Sequence, residues 1–224
     1  MGRRKRLYPM NLLTELSLNQ EMETNIDYEN LTADQLAGLN FVLSCLSERK
    51  RILIHEYYEN YKSRHRIAEQ YHLTENRVRQ CIAHALRTLN RNRRMFAYII
   101  NGYHANVMYL TRQLNEEETI YKQKRESCGS EHLLYQDIYE LSFPTRIYRA
   151  LKINQIHTVR ELLIQTCAGC RIRNLGDISK TQIREKLIVE KLLPVHFEVE
   201  SLPDSLPQLD IEAEIFRKLN SYDI

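Results

Sequence analysis

Apolar residues recur three and four apart along most of the chain, and long alternating β-branched runs are absent, so the pattern predicts a mostly helical protein. Between 46 and 90 it resolves into three segments. Leu46, Ile52, Leu53 and Tyr57 form a stripe after Ser47, a candidate N-cap. Ser63 is placed to cap a short helix through Tyr71 that turns Ile67 and Ala68 inward. A break at His72 and Leu73 follows, and Thr74 opens a longer helix with Val78, Ile82, Ala85, Leu86 and Leu89 on one side. At 100° per residue, Asn76, Gln80, Ala83, His84 and Arg87 fall on the other side, flanked by Arg77 and Arg79. Two arrangements fit: a helix-turn-helix, or an ordinary helical hairpin with a solvated outer face.

A second patterned block runs from 141 to 193. Ser142 and Pro144 precede a helix through Tyr148 and Leu151, proline being favoured in a first helical turn. Thr158 to Glu161 has the spacing of a capping box, opening Leu162, Leu163 and Ile164. Ser179 to Gln182 reads as another, opening Ile183, Leu187 and Val189. Between them, Gly176 in the string Arg173-Asn174-Leu175-Gly176 would permit a positive-φ turn, leaving helix N–H groups open to phosphate. Elsewhere, Ile100, Tyr103, Val107, Leu110 and Leu114 make a short coiled-coil-like seam, for packing against the first block or for homodimerisation through 96–114. Gly129 and its neighbours read as a linker. Leu209, Ile211, Ile215, Phe216 and Leu219 form an amphipathic tail, able to dock elsewhere or to cover a basic face.

Charge sharpens the picture. The net charge of +3 conceals +7 over residues 46–94 and +6 over 141–196, set among stretches of −2, −3 and −5. Each basic stretch is the size of a small DNA-binding module, and a phosphate backbone is its natural partner because neutralised phosphates release counterions. With 43% hydrophobic residues in 224, the chain can bury one core or two small ones. No apolar run nears the ~20 residues that span a bilayer. The basic start at Arg3, Arg4, Lys5 and Arg6 lacks the apolar core of a signal peptide. Five cysteines, an odd number, fit a reduced intracellular protein. Cys167 and Cys170 form a lone CxxC without a second ligand pair, so they read as ordinary thiols, and no metal or cofactor is expected. The histidines are scattered, Glu116 to Glu118 reads as a solvated helical turn, and no nucleotide loop or catalytic constellation is visible, which predicts a non-enzyme.

Residue order then adds two family resemblances. Leu46-Ser47-Glu48-Arg49-Lys50-Arg51-Ile52-Leu53, Ile67-Ala68-Glu69, the string 73–80, and Ala85-Leu86-Arg87-Thr88-Leu89 resemble region 4 of bacterial sigma factors across roughly 31–94. That family binds the −35 promoter element and the polymerase β flap. The resemblance implies that Glu75, Asn76, Arg77, Arg79 and Gln80 read bases and backbone, with Arg87 beside them. Primary sigma factors usually carry Arg-Glu where Glu75 and Asn76 stand. The strings 141–152, 156–163 and 173–187 resemble the C-terminal domain of the RNA polymerase α subunit, which binds AT-rich DNA through the minor groove and contacts activators and sigma region 4. The resemblance implies Arg146 in the groove, Arg149 nearby, and Asn174, Gly176, Ser179 and Lys180 at the backbone-contacting turn. The family usually has Asn where Arg149 stands and Lys where Ile178 stands.

The expected architecture is therefore all-α: an N-terminal arm (1–30), a helix-turn-helix domain (31–94), a helical linker (95–140), an α-like helix-hairpin-helix module (141–196) and an acidic tail (197–224). The expected function is transcription regulation, with double-stranded DNA, RNA polymerase or a sigma factor as partners, in a cytoplasmic, nucleoid-associated bacterial protein without a membrane span. The alternatives are an interaction protein that sequesters or redirects polymerase components, and an accessory factor anchoring a DNA-processing enzyme.

Overall fold

A computed structural model describes residues 7–16, 18, 26–126, 133–199 and 206–222. Helices account for nearly all regular structure among them, with no strand and a single isolated bridge between Asp137 and Thr158. The chain divides into two units, 1–109 and 110–224.

The first unit opens with α1 (Met10–Glu15), whose Leu12 and Leu13 are fully buried, as are Leu16 and Leu18 beyond it. The Asn11 side chain donates to the Tyr58 carbonyl at 2.8 Å. These four leucines belong to the unit's core, so the expected arm is docked where α1 lies. Helix α2 (Ala33–Ser44) starts at a capping box between Thr32 and Gln35, and Gln35 also donates to the Ile100 carbonyl at 2.9 Å. Gly38 lies where α2 meets α6 (Phe96–Ile100), so close that a Cβ would sit 1.8 Å from the Tyr98 carbonyl oxygen. Helix α3 (Glu48–Ile54) follows Ser47, which makes no side-chain capping bond, and runs into a π-helical turn, His55–Glu59. Ser63 and Thr74 cap α4 (Arg64–Gln70) and α5 (Glu75–Arg91) as expected, each accepting from the third residue beyond it at 3.2 Å. The break between them is His72, with φ of 51°. Val78, Ile82, Ala85 and Leu89 of α5 are buried, while Leu86 is half-buried.

Helix α7 (Tyr103–Glu126) crosses the division between the units. Within the first unit, Tyr103 stacks against Phe41 and Tyr98 with ring centroids 5.0 and 6.2 Å away. Within the second, Leu114 and Tyr121 join the core. Of the seam read for 96–114, Tyr103 and Leu114 thus pack within their own units, while Ile100, Val107 and Leu110 are half-buried.

In the second unit, α8 (Thr145–Ile153), α9 (Val159–Cys167) and α10 (Asp177–Val189) surround Ile147, Leu151, Leu163 and Leu187. Pro144 takes the N-cap of α8, just outside the first turn where it was expected. The Thr158–Glu161 capping box forms. The box read at Ser179 does not: α10 begins three residues earlier, with Gly176 at the N-cap and the acidic Asp177 favouring its first turn. The acidic tail is also revised. Its helix α11 (Gln208–Asn220) buries Ala213, Ile215, Phe216 and Leu219 in this same core, so the apolar stripe belongs to the unit. Several interactions anchor it to α7, among them the Asn220 amide donating to the Glu117 carbonyl at 2.7 Å and Arg217 donating to Gln113 at 3.2 Å. Glu117 and Glu118 consequently serve the fold, and the expected solvated turn holds for Glu116, which pairs with Arg112 at the surface.

Among the described residues, one fully buried side chain is charged. Arg125 is 0% exposed; its guanidinium lies 4.9 Å from the Tyr121 ring centroid, and its nitrogens find no well-formed hydrogen bond among the described residues. Burying an unpaired charge is costly, and its ring contact offsets part of that. Arg125→Met is therefore expected to stabilise the protein by about 1–3 kcal/mol, read as a rise in the denaturation midpoint. A loss of stability would show that the guanidinium has a compensating partner.

Candidate nucleic-acid interface

In the first unit, the site follows from the amphipathic geometry of α5. Its inward stripe fixes the helix against α3 and α4, which turns Glu75, Asn76, Arg77, Arg79, Gln80 and Arg87 outward, all exposed. Arg79 donates to the Asn76 side-chain oxygen at 2.8 Å, and Arg87 donates to the Ala83 carbonyl at 3.2 Å. The Asn76–Arg79 bond orders two side chains one turn apart, a pre-arranged donor pair suited to base edges. Glu75 differs from the others. Its carboxylate meets His65 Nδ1 at 2.9 Å, and His65 Nε2 lies 3.2 Å from Glu69. Glu75 thus ties the start of α5 to α4, a positioning contact across the helix-turn-helix.

In the second unit, Arg146 and Arg149 are exposed on α8, and Ile153 continues the same face at helical spacing. The Asn154 side chain joins the end of α8 to the next turn, donating to the Arg173 carbonyl at 3.0 Å and accepting from its N–H at 2.9 Å. Positive φ in that turn belongs to Asn174, at 64°; Gly176 has φ of −84°. Nor does packing require glycine there, since the position is open and a Cβ at Gly176 would meet nothing within 4 Å. The backbone at the start of α10 is accordingly approachable from outside.

Two expected contact residues stand differently. Ser179 is 9% exposed, on the inner side of α10, which withdraws its hydroxyl from an external ligand. Lys180 is exposed, but its ammonium lies 3.1 Å from Asp177, whose side chain is fully exposed. The sequence reading passed over Arg171 and Arg173, both exposed; the charge excess over 141–196 included them without locating them. Among the described residues, the guanidinium groups of Arg146, Arg149, Arg171 and Arg173 make no hydrogen bond or ion pair. The CxxC cysteines part company: Cys167 is buried, its thiol pushed up to about 12 by that burial, and Cys170 is exposed. Among the described residues no group of three His, Cys, Asp or Glu could hold a metal ion, and no helix is long and apolar enough to cross a membrane.

Two family models match the chain. Residues 42–91 match sigma-70 region 4, and residues 124–188 match the C-terminal domain of the bacterial RNA polymerase α chain. No curated protein and no solved structure matches it. The chain therefore joins, in this order, a sigma region 4-like module and an α C-terminal-like module, both small helical DNA-binding types from the bacterial transcription apparatus.

Proposed function

We propose that this chain, in which two modules of the transcription apparatus are joined, is a non-enzymatic regulator that binds promoter DNA and contacts bacterial RNA polymerase. The first module reads a major groove through α5, and the second reads minor-groove shape and backbone through α8 and the turn before α10. The observation that carries this reading is the exposed positive charge that has no ion-pair partner among the described residues on either module: the arginines on the outer face of α5, and Arg146, Arg149 and Arg173 in the second unit. Helices placed this way dock by phosphate neutralisation and select by side-chain contact with base edges.

Arg79→Ala and Arg146→Ala are each expected to weaken duplex binding about ten-fold or more, at one to three kcal/mol per lost contact. Affinity should fall steeply with salt, each phosphate contact adding about 0.9 to the slope of log K against log salt concentration. Fluorescence anisotropy of a labelled duplex, titrated at several salt concentrations, measures both. Unchanged affinity in both variants would sink the proposal and leave polymerase binding without DNA reading as the surviving function.

A further inference from the structure

The bond between Asn76 and Arg79 decides what the outer face of α5 can offer to a base. Arg79 Nη2 donates to Asn76 Oδ1 at 2.8 Å. Only the oxygen of an amide can accept from a guanidinium, so this bond also fixes the amide's orientation, leaving its NH2 group as the free end. Both residues are exposed, on the side of α5 opposite the buried Val78, Ile82, Ala85 and Leu89. Arginine carries donors only, and the acceptor of this amide is already engaged by it. The pair therefore presents N–H groups and positive charge. An asparagine acting alone reads adenine, donating to N7 and accepting from the N6 amino group. Here an incoming amino group, from adenine or from cytosine, would meet a guanidinium already bonded to the oxygen it needs. Guanine instead offers two acceptors side by side, O6 and N7.

The adjacent carboxylate does not restore an acceptor. Glu75 is the residue that would take a hydrogen bond from a base amino group, but its Oε1 lies 2.9 Å from His65 Nδ1. The other nitrogen of that ring lies 3.2 Å from Glu69, so Glu75 is drawn towards α4. Gln80, one turn beyond Asn76 on the same face, makes no side-chain hydrogen bond among the described residues and keeps both ends of its amide. Donor-only chemistry is thus particular to the Asn76–Arg79 pair. Resting on the major-groove reading of α5 above, we propose that Asn76 and Arg79 form one specificity element that selects guanine through O6 and N7 and discriminates against adenine and cytosine. Arg79 supplies the forked donor edge, through the remaining N–H of Nη2 and its neighbour on the guanidinium. Asn76 is the positioning partner: it orders the arginine before DNA arrives, so less rotamer freedom is lost on binding.

The test selects duplexes from a random library with the full chain, then measures single duplexes by anisotropy. Enriched sites should share a guanine, and its replacement by adenine or cytosine should weaken binding about ten-fold or more. Replacement by 7-deazaguanine, which removes N7 and keeps the base pair, should also weaken it. Both side chains are exposed, so substituting them leaves the core intact. Arg79→Lys keeps the charge without the fork: it should lose the guanine preference while the slope against salt stays as it was. Asn76→Ala should cut the same preference to about two- or three-fold, because the arginine is no longer held at the base. An adenine or cytosine selected at the position that responds to these two variants would overturn the proposal. A guanine preference unmoved in both would overturn it as well, and assign that base to another residue. If the library binds with a steep salt dependence and no base is enriched, base selection by the pair is wrong while DNA binding through phosphate stands. If no duplex binds at any salt concentration, the DNA-binding reading falls with it.

Discussion

A Gly38→Ala chain is expected to lose about 3 kcal/mol or more from the stability of its first unit, enough to depress its thermal transition sharply. Two effects of opposite sign meet at this position. Alanine favours a helix over glycine by about 0.5–1 kcal/mol, and Gly38 sits inside α2. Against that, the new Cβ would lie 1.8 Å from the Tyr98 carbonyl oxygen and 2.5 Å from its carbonyl carbon. Both are backbone atoms, so no side-chain rotation relieves the clash. Helix α6 would have to withdraw, carrying with it Phe96, Tyr98 and Ile99, each 1% exposed or less. The clash decides the sign. Circular dichroism during thermal unfolding checks it, with Gly176→Ala as the comparison: a Cβ there meets open space at φ of −84°, so its transition should move far less, by no more than the ~1 kcal/mol that alanine costs at an N-cap. A neutral Gly38→Ala would mean that α2 and α6 do not meet this closely.

The glycine was invisible to pattern reading, and the reason applies more widely. Hydrophobic periodicity says which side of a helix is apolar, and local capping chemistry says where the helix starts. The stripe Val78, Ile82, Ala85 and Leu89 and the caps Ser63, Thr74 and Thr158 were legible because every determinant lies within a few residues. Which surface an apolar stripe meets is decided far away in sequence. Leu12, Leu13 and Leu16 gave no sign of their destination, and α11 could be read only as a helix that docks somewhere or covers a basic face, because its stripe is complete without naming a partner. Ser179 failed for a different reason. A capping signature is short, and Gly176 with Asp177 offered a helix start one turn earlier that placed Ser179 inside. The outer face of α5 was readable as the complement of a buried stripe. The basic residues of the second unit were readable as charge, but where Arg173 stands depends on a turn held by Asn154, which no local pattern encodes.

Long-range pairing also underlies the second large effect, Arg160→Ala, expected to destabilise the second unit by about 2–4 kcal/mol at neutral pH. Arg160 donates to Glu118 through Nε and Nη2 at 3.3 and 3.0 Å, and to Glu212 at 2.9 Å, linking α9 to α7 and α11. All three side chains are 20% exposed or less, so removal would strand two carboxylates in poor solvent. Partial exposure puts the loss at the lower end of that for broken buried pairs. Burial by itself raises the Glu118 pKa, yet bonds from Arg160 and from Tyr135 outweigh it and hold the carboxyl below its ordinary value. A depressed carboxyl stabilises the fold above its unfolded pKa and gives that stability up as pH falls through the folded value. Without Arg160 the same carboxyl loses its main charged partner, and burial then favours the protonated form. The penalty of Arg160→Ala should accordingly be largest near pH 7 and shrink towards pH 4, where Glu118 and Glu212 can take up protons. Denaturant unfolding at the two pH values measures the difference. An equal loss at both would mean that the arginine acts by packing its stem over Phe216, whose ring centroid lies 5.3 Å from the guanidinium, with little contribution from its charge.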